Sequence, residues 1–220
     1  MSQLPVSVLV VAKAPVPGRA KTRLAATVGD RVAAEIAAAA LLDTLDAVVT
    51  APVAARVVAL TGELAAAVDA ADIRNRLASF TVIGQRGDGF PDRLANAHAD
   101  AAGKYPVLQI GMDTPQVNAE LLAGCAQRLL AAPAVLGFAR DGGWWVLGVH
   151  TPATAECLRG IPVSRPNTGV LTLKALQDNG INVTLVEELT DVDTVDDVAP
   201  VRDGCRPASR FARTTRAAGL

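Results

Sequence analysis

The stretch Ala12 to Leu24, Ala-Lys-Ala-Pro-Val-Pro-Gly-Arg-Ala-Lys-Thr-Arg-Leu, carries four cations: Lys13, Arg19, Lys21 and Arg23. Pro15, Pro17 and Gly18 stiffen it. A rigid loop with four positive side chains and available backbone N–H groups suits a di- or triphosphate, which offers several negative oxygens at short spacing. The alternative is a solvated basic loop. Neither G-x-x-x-x-G-K-[ST] nor G-x-G-x-x-G is present, so the two common phosphate loops do not apply.

Three further segments combine polar groups with glycine or proline. In Gln85-Arg86-Gly87-Asp88-Gly89-Phe90-Pro91, Gln85 offers both a donor and an acceptor, as reading a nucleobase edge requires. Gly87 and Gly89 would let a base or ribose approach the backbone, unless the segment is only a turn into a helix. In Ile110-Gly111-Met112-Asp113-Thr114-Pro115, a carboxylate stands just past an apolar run. Such a group is costly to desolvate alone. A divalent cation bridging a diphosphate would supply its partner, or Asp113 caps the next helix. In Asp141-Gly142-Gly143-Trp144-Trp145, the chain's two tryptophans are adjacent. On a strand they point to opposite faces, so one can be core while the other lines a cleft. The glycines beside Trp144 would leave room for a sugar ring.

These segments need a scaffold that brings them together. Val6–Ala12, Arg56–Leu60, Phe80–Ile83, Pro106–Ile110, Ala134–Phe138, Trp144–Val149 and Asn182–Val186 read as strands. Between them Asp30–Val49 (with Asp30 as N-cap), Glu63–Leu77, Pro91–Ala102, Asn118–Leu130 and Thr168–Asn179 read as helices. Strict alternation implies one α/β domain, a mostly parallel sheet with helices on both faces. Ligands then sit beyond the carboxyl ends of the strands, where each segment singled out above begins. Residues 201–220 carry five arginines against one aspartate. They read as a basic C-terminal tail on a domain spanning 1–200, either frayed or folded over an anionic ligand.

Composition narrows the function classes. The formal net charge of −1 and 3% aromatic residues argue against a nucleic-acid partner. Half the residues are hydrophobic, which excludes disorder. Cys125, Cys157 and Cys205 show neither paired nor C-x-x-C spacing and read as reduced thiols. The apolar run Val6–Val11 is too short to span a membrane, and a cytoplasmic protein is expected. His98 and His150 fit no metal-ligand spacing.

The Ala12–Leu24 stretch resembles A-K-x-P-x-P-G-x-x-K-T-R-L, the opening signature of a bacterial family of GT-A-like nucleotide-diphospho-sugar transferases. Some of its members are labelled arsenosugar-biosynthesis glycosyltransferases. Phospholactate guanylyltransferase and the molybdenum-cofactor nucleotidyltransferases are distant cousins. Gln85–Leu94 resembles the family's Q-x-G-x-x-L-x-x-R-L run, with Phe90 in place of leucine. Gly111–Pro115 resembles its G-x-D-x-P element, with one of the two aspartates of D-x-D. Asp141–Gly148 resembles D-G-G-Y-Y-L-x-G with tryptophans for tyrosines, and Asp191–Val198 resembles D-x-D-T-x-E-D-L. Val163–Gly169 lacks the W-S-T of many relatives.

The resemblance implies a Rossmann-like GT-A fold and a transferase needing Mg2+ or Mn2+. Ala12, Lys13, Ala14, Pro15, Gly18, Arg19, Lys21, Arg23, Gln85 and Gly87 would bind the nucleotide. Asp113 and Asp193 would ligate the metal, and Gly142, Gly143 and Trp144 would meet the substrate. Asp141 would hold sugar hydroxyls, act as a base or sit behind the metal. The donor is a nucleotide sugar passed to an unidentified acceptor, or an NTP in a nucleotidyl transfer releasing pyrophosphate. A nucleotide-binding module without turnover is the third reading.

Overall fold

The computed structural model describes residues 3–220. In chain order the elements are β1 (Leu4–Lys13), α1 (Thr22–Val28), α2 (Asp30–Thr50), β2 (Val53–Thr61), α3 (Ala70–Leu77), β3 (Thr81–Gly84) and α4 (Phe90–Ala101). Then follow β4 (Val107–Ile110), α5 (Ala119–Ala131), β5 (Ala134–Ala139), β6 (Trp144–Val149), α6 (Pro152–Ala155), α7 (Thr168–Asp178), β7 (Val183–Leu189), α8 (Val195–Gly204) and α9 (Arg210–Ala217). They form one α/β unit around a seven-stranded sheet of order β3-β2-β1-β4-β6-β5-β7.

All neighbouring strands are parallel except β6, which runs antiparallel to β4 and β5. The cause is the short turn at 140–143: two strands joined by a tight turn can pair only antiparallel. Alternate residues of β1 feed two cores. Val6, Val8 and Val10 join a layer with α2, α3 and α5, whereas Leu9 and Val11 join a layer with α4, α6 and α7. Helices therefore cover both faces, as the alternating sequence pattern implies.

Alanine-rich α2 is buried on nearly every side. Ala37, Ala38, Leu41 and Leu45 face the sheet, while Ala33, Ile36 and Ala40 meet Leu24, Val198, Val201 and Phe211 on the outside. A helix apolar all round needs covering on both sides. Residues 201–220 provide much of the outer cover, ending α8 and forming α9, with Phe211 fully buried. The Asp43 carboxylate of α2 accepts from the N–H groups of Arg210 and Phe211, satisfying the first turn of α9.

Two sequence-based readings change. Glu63–Leu77 is not one helix: a 3-10 turn spans Leu64–Ala66, Asp69 is left-handed, and α3 starts at Ala70. The Val68 N–H is spent on the Pro15 carbonyl, which takes it out of any helix ladder. Asp30 is the first helical residue of α2 rather than its cap, a position held by Gly29. Its charge still suits the positive end of the helix. The helices α1, α8 and α9 lie outside the elements read from the sequence. At α8 a capping box, Thr194 with Asp197, fixes the start. No described helix is long and apolar enough to cross a membrane.

His98 of α4 is fully buried, and neither ring nitrogen has a partner. Burial pushes its pKa down to about 3. The unfolded imidazole takes a proton near 6.5 and the folded one does not, so stability is lost as pH falls below that value. The slope should approach ~1.4 kcal/mol per pH unit between pH 6 and 5. Urea unfolding of the parent and His98→Leu at pH 7.5, 6 and 5 checks this. The variant should lose this part of the slope; an unchanged slope would mean that His98 is protonated in the folded chain.

Candidate functional site

The loops after β1, β4, β5 and β7 all open at the carboxyl edge of the parallel strands. Connections run outward from β1 through β2 to β3, and the chain then returns to place β4 on the other side of β1. The β1/β4 boundary is thus the point where strand order reverses, the usual cleft of such sheets. Lys21 comes to it from the β1 side and Asp113 from the β4 side.

The Lys21 ammonium donates to Asp113 Oδ2 at 2.6 Å, with the two side chains only 13% and 31% exposed. Lys21 reaches it from a left-handed backbone (φ 47°), which for a lysine is a strained conformation. Asp113 curls back over Gly111: a Cβ at Gly111 would lie 2.7 Å from Asp113 Oδ1. The loop after β7 is pinned alongside. Val192 donates its N–H to the Asp113 carbonyl at 2.9 Å, and Gln116 Nε2 donates to the Thr190 carbonyl at 2.5 Å.

This pinning brings Asp191 into the cluster. Its burial, and then the charges of Asp113 and Asp141, push its carboxyl up to about 7, while Lys21 works in the opposite direction. Burial works against the charge of Lys21, but Asp113, then Asp193 and Asp191, hold its pKa above the ordinary value. The sequence reading names Asp193 as the second metal ligand; its Oδ2 accepts from Arg23 at 2.5 Å. Asp191, on the same side of this extended segment, also feels the charge of Asp113.

Among the described residues no three histidine, cysteine or acidic side chains converge as a ready metal-ligand set. The donor type nevertheless fits a hard divalent cation. Asp113 and Asp191 are oxygen donors, and half-buried Asp191 feels other negative charges, which such a cation would offset.

The β1 loop divides into parts. Ala12, Ala14 and Pro15 are buried, so their side chains pack and only their backbone could meet a ligand. The N–H groups of Lys13, Ala14, Val16, Arg19 and Ala20 already bond within the protein, Lys13 N–H to Met112 Sδ. Gly18 takes φ 73° beside Asp30. Among the described residues Lys13 and Arg19 are exposed without an ion-pair partner, whereas Lys21 and Arg23 are paired.

Gln85 does not keep the dual character expected of it. Both amide hydrogens are used, one on the Ala12 carbonyl (2.8 Å) and one on the Ala59 carbonyl (2.9 Å). Only Oε1 remains to meet a base. Gly87 (φ 126°) fits a tight turn against α4, where a Cβ would lie 2.7 Å from that of Asp92.

Asp141 is exposed at the β5–β6 turn, its Oδ1 accepting from the Gly143 N–H at 2.7 Å. Trp145 is core, and its Nε1 donates to the Glu187 carbonyl at 2.8 Å. Trp144 is half-buried on the opposite face, with Phe138 in the same layer. The sequence reading gave the glycines the task of admitting a sugar. At Gly142 the room is taken: a Cβ would run into the Pro166 carbonyl, and Gly142 O accepts from the Gly169 N–H at 2.8 Å. The Val163–Gly169 loop is therefore docked on the turn that presents Asp141.

Residues 44–165 match the family described as "Uncharacterized protein conserved in bacteria (DUF2064)". No curated protein matches the chain. Among solved structures, a "putative nucleotide-diphospho-sugar transferase" from Desulfovibrio desulfuricans superposes with TM-score 0.83 at 23% identity, covering 99% of this chain and 95% of that one. A cytidylyltransferase from Leptospira borgpetersenii gives TM-score 0.59 at 13% identity, covering 98% and 94%. A Mycobacterium tuberculosis protein in complex with manganese, Rv0371c, gives TM-score 0.54 at 19% identity, covering 90% and 97%. The shared fold is that of nucleotidyl- and glycosyltransferase-like proteins.

Gly142→Ala should lower stability by about 1–3 kcal/mol, the cost of a strained left-handed residue, with the Pro166 clash in addition. It should also loosen the docked loop. Urea unfolding and the rate of proteolytic cutting within 163–169 measure the two effects. Unchanged values for both would mean that the turn does not hold the loop.

Proposed function

The chain belongs to the bacterial DUF2064 family, and for it we propose transfer from a nucleotide-diphospho-sugar donor, assisted by Mg2+ or Mn2+. The observation that carries this reading is the cluster at the strand-order reversal: Lys21, Asp113 and Asp191 directly beneath an exposed basic loop. Lys13 and Arg19 take the diphosphate oxygens, and two unpaired cations match a diphosphate better than a triphosphate. Asp113 and Asp191 hold the cation. When bound, the cation neutralises the diphosphate and stabilises it as the leaving group.

The remaining residues orient the partners. Gln85 Oε1 accepts from the base, while its donors keep it fixed to β1 and β2. Trp144 offers an aromatic face to the sugar ring. Asp141, kept in place by the Gly143 N–H, faces the acceptor and either holds sugar hydroxyls or takes a proton. Nucleotidyl transfer from an NTP is the second reading. The observation favouring it is that Lys21, at the end of the loop, and Arg23, in the first turn of α1, would add charge for a third phosphate.

A thermal-shift screen of NTPs and nucleotide sugars, with and without Mn2+, tests the assignment, because a ligand that binds only the folded state raises its stability. A metal-dependent shift with a nucleotide sugar, lost in Asp113→Ala, is expected. A shift only with an NTP, and pyrophosphate release with a phosphorylated acceptor, would select the second reading. Lys13→Ala and Arg19→Ala should each weaken a nucleoside diphosphate roughly tenfold, as loss of a charged hydrogen bond does, and the nucleoside far less. Equal losses for both would remove the loop from phosphate binding.

A further inference from the structure

Lys21 occupies the very oxygen that the proposed cation needs. Its ammonium lies 2.6 Å from Asp113 Oδ2, and it is the one lysine inside a group of Asp113, Asp191 and Asp193. A magnesium or manganese ion binds carboxylate oxygen at roughly 2.0–2.3 Å. Placing it on Oδ2 with the ammonium still bonded would set two cations within a few ångströms in a poorly hydrated cleft, a strongly repulsive arrangement. The second oxygen, Asp113 Oδ1, lies over Gly111 on the same carboxylate, so a cation on it would still sit close to the ammonium.

Lys21 can leave. Its four-carbon stem is flexible and its charge is a compact point, unlike the planar fork of arginine. Its backbone is held left-handed where the basic loop meets α1, so a rotation of the side chain alone can take the ammonium off Asp113. Phosphate oxygens gathered by Lys13 and Arg19 are the natural destination.

We propose that Lys21 and the divalent cation compete for Asp113, and that nucleotide phosphates draw Lys21 off the carboxylate as the metal enters. Lys21 is thus a positioning residue. It holds Asp113 in place before ligands arrive and transfers its charge to the donor afterwards. Nucleotide and metal then bind with positive coupling, and each raises the affinity of the other by the same factor. This inference rests on the metal-assisted reading above.

The test uses Mn2+ alone, measured by the electron-paramagnetic-resonance signal of the free ion, with parent, Lys21→Met and Asp113→Asn. Lys21→Met should bind Mn2+ at least tenfold more tightly than the parent, and Asp113→Asn should bind more weakly than either. Equal or weaker binding by Lys21→Met, with binding still lost in Asp113→Asn, would overturn the competition and leave the metal site standing. Binding indifferent to Asp113→Asn would overturn both. A second measurement needs no variant. In the parent, acetylation followed by mass spectrometry should find Lys21 protected relative to exposed Lys13, and saturating Mn2+ should remove that protection. Protection unchanged by Mn2+ would refute the competition.

Discussion

The ion pair between Lys21 and Asp113 is the constraint around which the cleft is organised. It joins the loop after β1 to the loop after β4, the two strands that flank the reversal of strand order. Lys21 is mostly buried and Asp113 about one-third exposed, so the lysine in particular needs its partner in this environment. The surrounding features serve that pairing. Gly111 lets Asp113 fold back, the left-handed Lys21 aims the ammonium, and the Asp113 carbonyl recruits the β7 loop through Val192. Asp191 and Asp193 arrive with that loop, and Arg23 neutralises the second of them.

The site also depends on a packing arrangement far from it. Lys21 leads into α1, and Leu24 of α1 is fully buried among Ile36, Val198, Val201 and Phe211. Those side chains come from α2, α8 and α9, so the C-terminal helices clamp the start of α1 against α2. The Asp43 carboxylate completes the clamp by accepting the first N–H groups of α9. The five arginines of residues 201–220 belong to this clamp region, and Arg210 spends its charge on Asp43 and Asp46.

The alternating pattern of apolar runs was enough to read the layered sheet and the edge where the chemistry gathers. That one of the two tryptophans is core follows from strand alternation; that it is Trp145 does not. What the sequence could not disclose depends on distant pairings. Nothing near Gln85 signals that the Ala12 and Ala59 carbonyls consume its donors. Nothing near Gly142 signals that Pro166, 24 residues on, fills the space above it. Glu63–Leu77 carries a helical composition, yet one bond from Val68 to Pro15 takes a residue out of the ladder.

The same limit explains the choice between Asp191 and Asp193. Two aspartates at i and i+2 in an extended segment point the same way, so spacing cannot rank them. The structure adds that Arg23 bonds Asp193 while half-buried Asp191 feels the charges of Asp113 and Asp141; an ion pair alone does not disqualify a carboxylate, since Asp113 has one too. The family match, residues 44–165, includes Asp113 and Asp141 but neither the basic loop nor Asp191. The shared segment therefore supplies the β4 and β5–β6 sides of the cleft, whereas the basic loop and Asp191 come from the flanks. Fold and family alone leave those flanking residues undetermined, and a functional argument for this chain has to be made from Lys13, Arg19, Lys21 and Asp191 themselves.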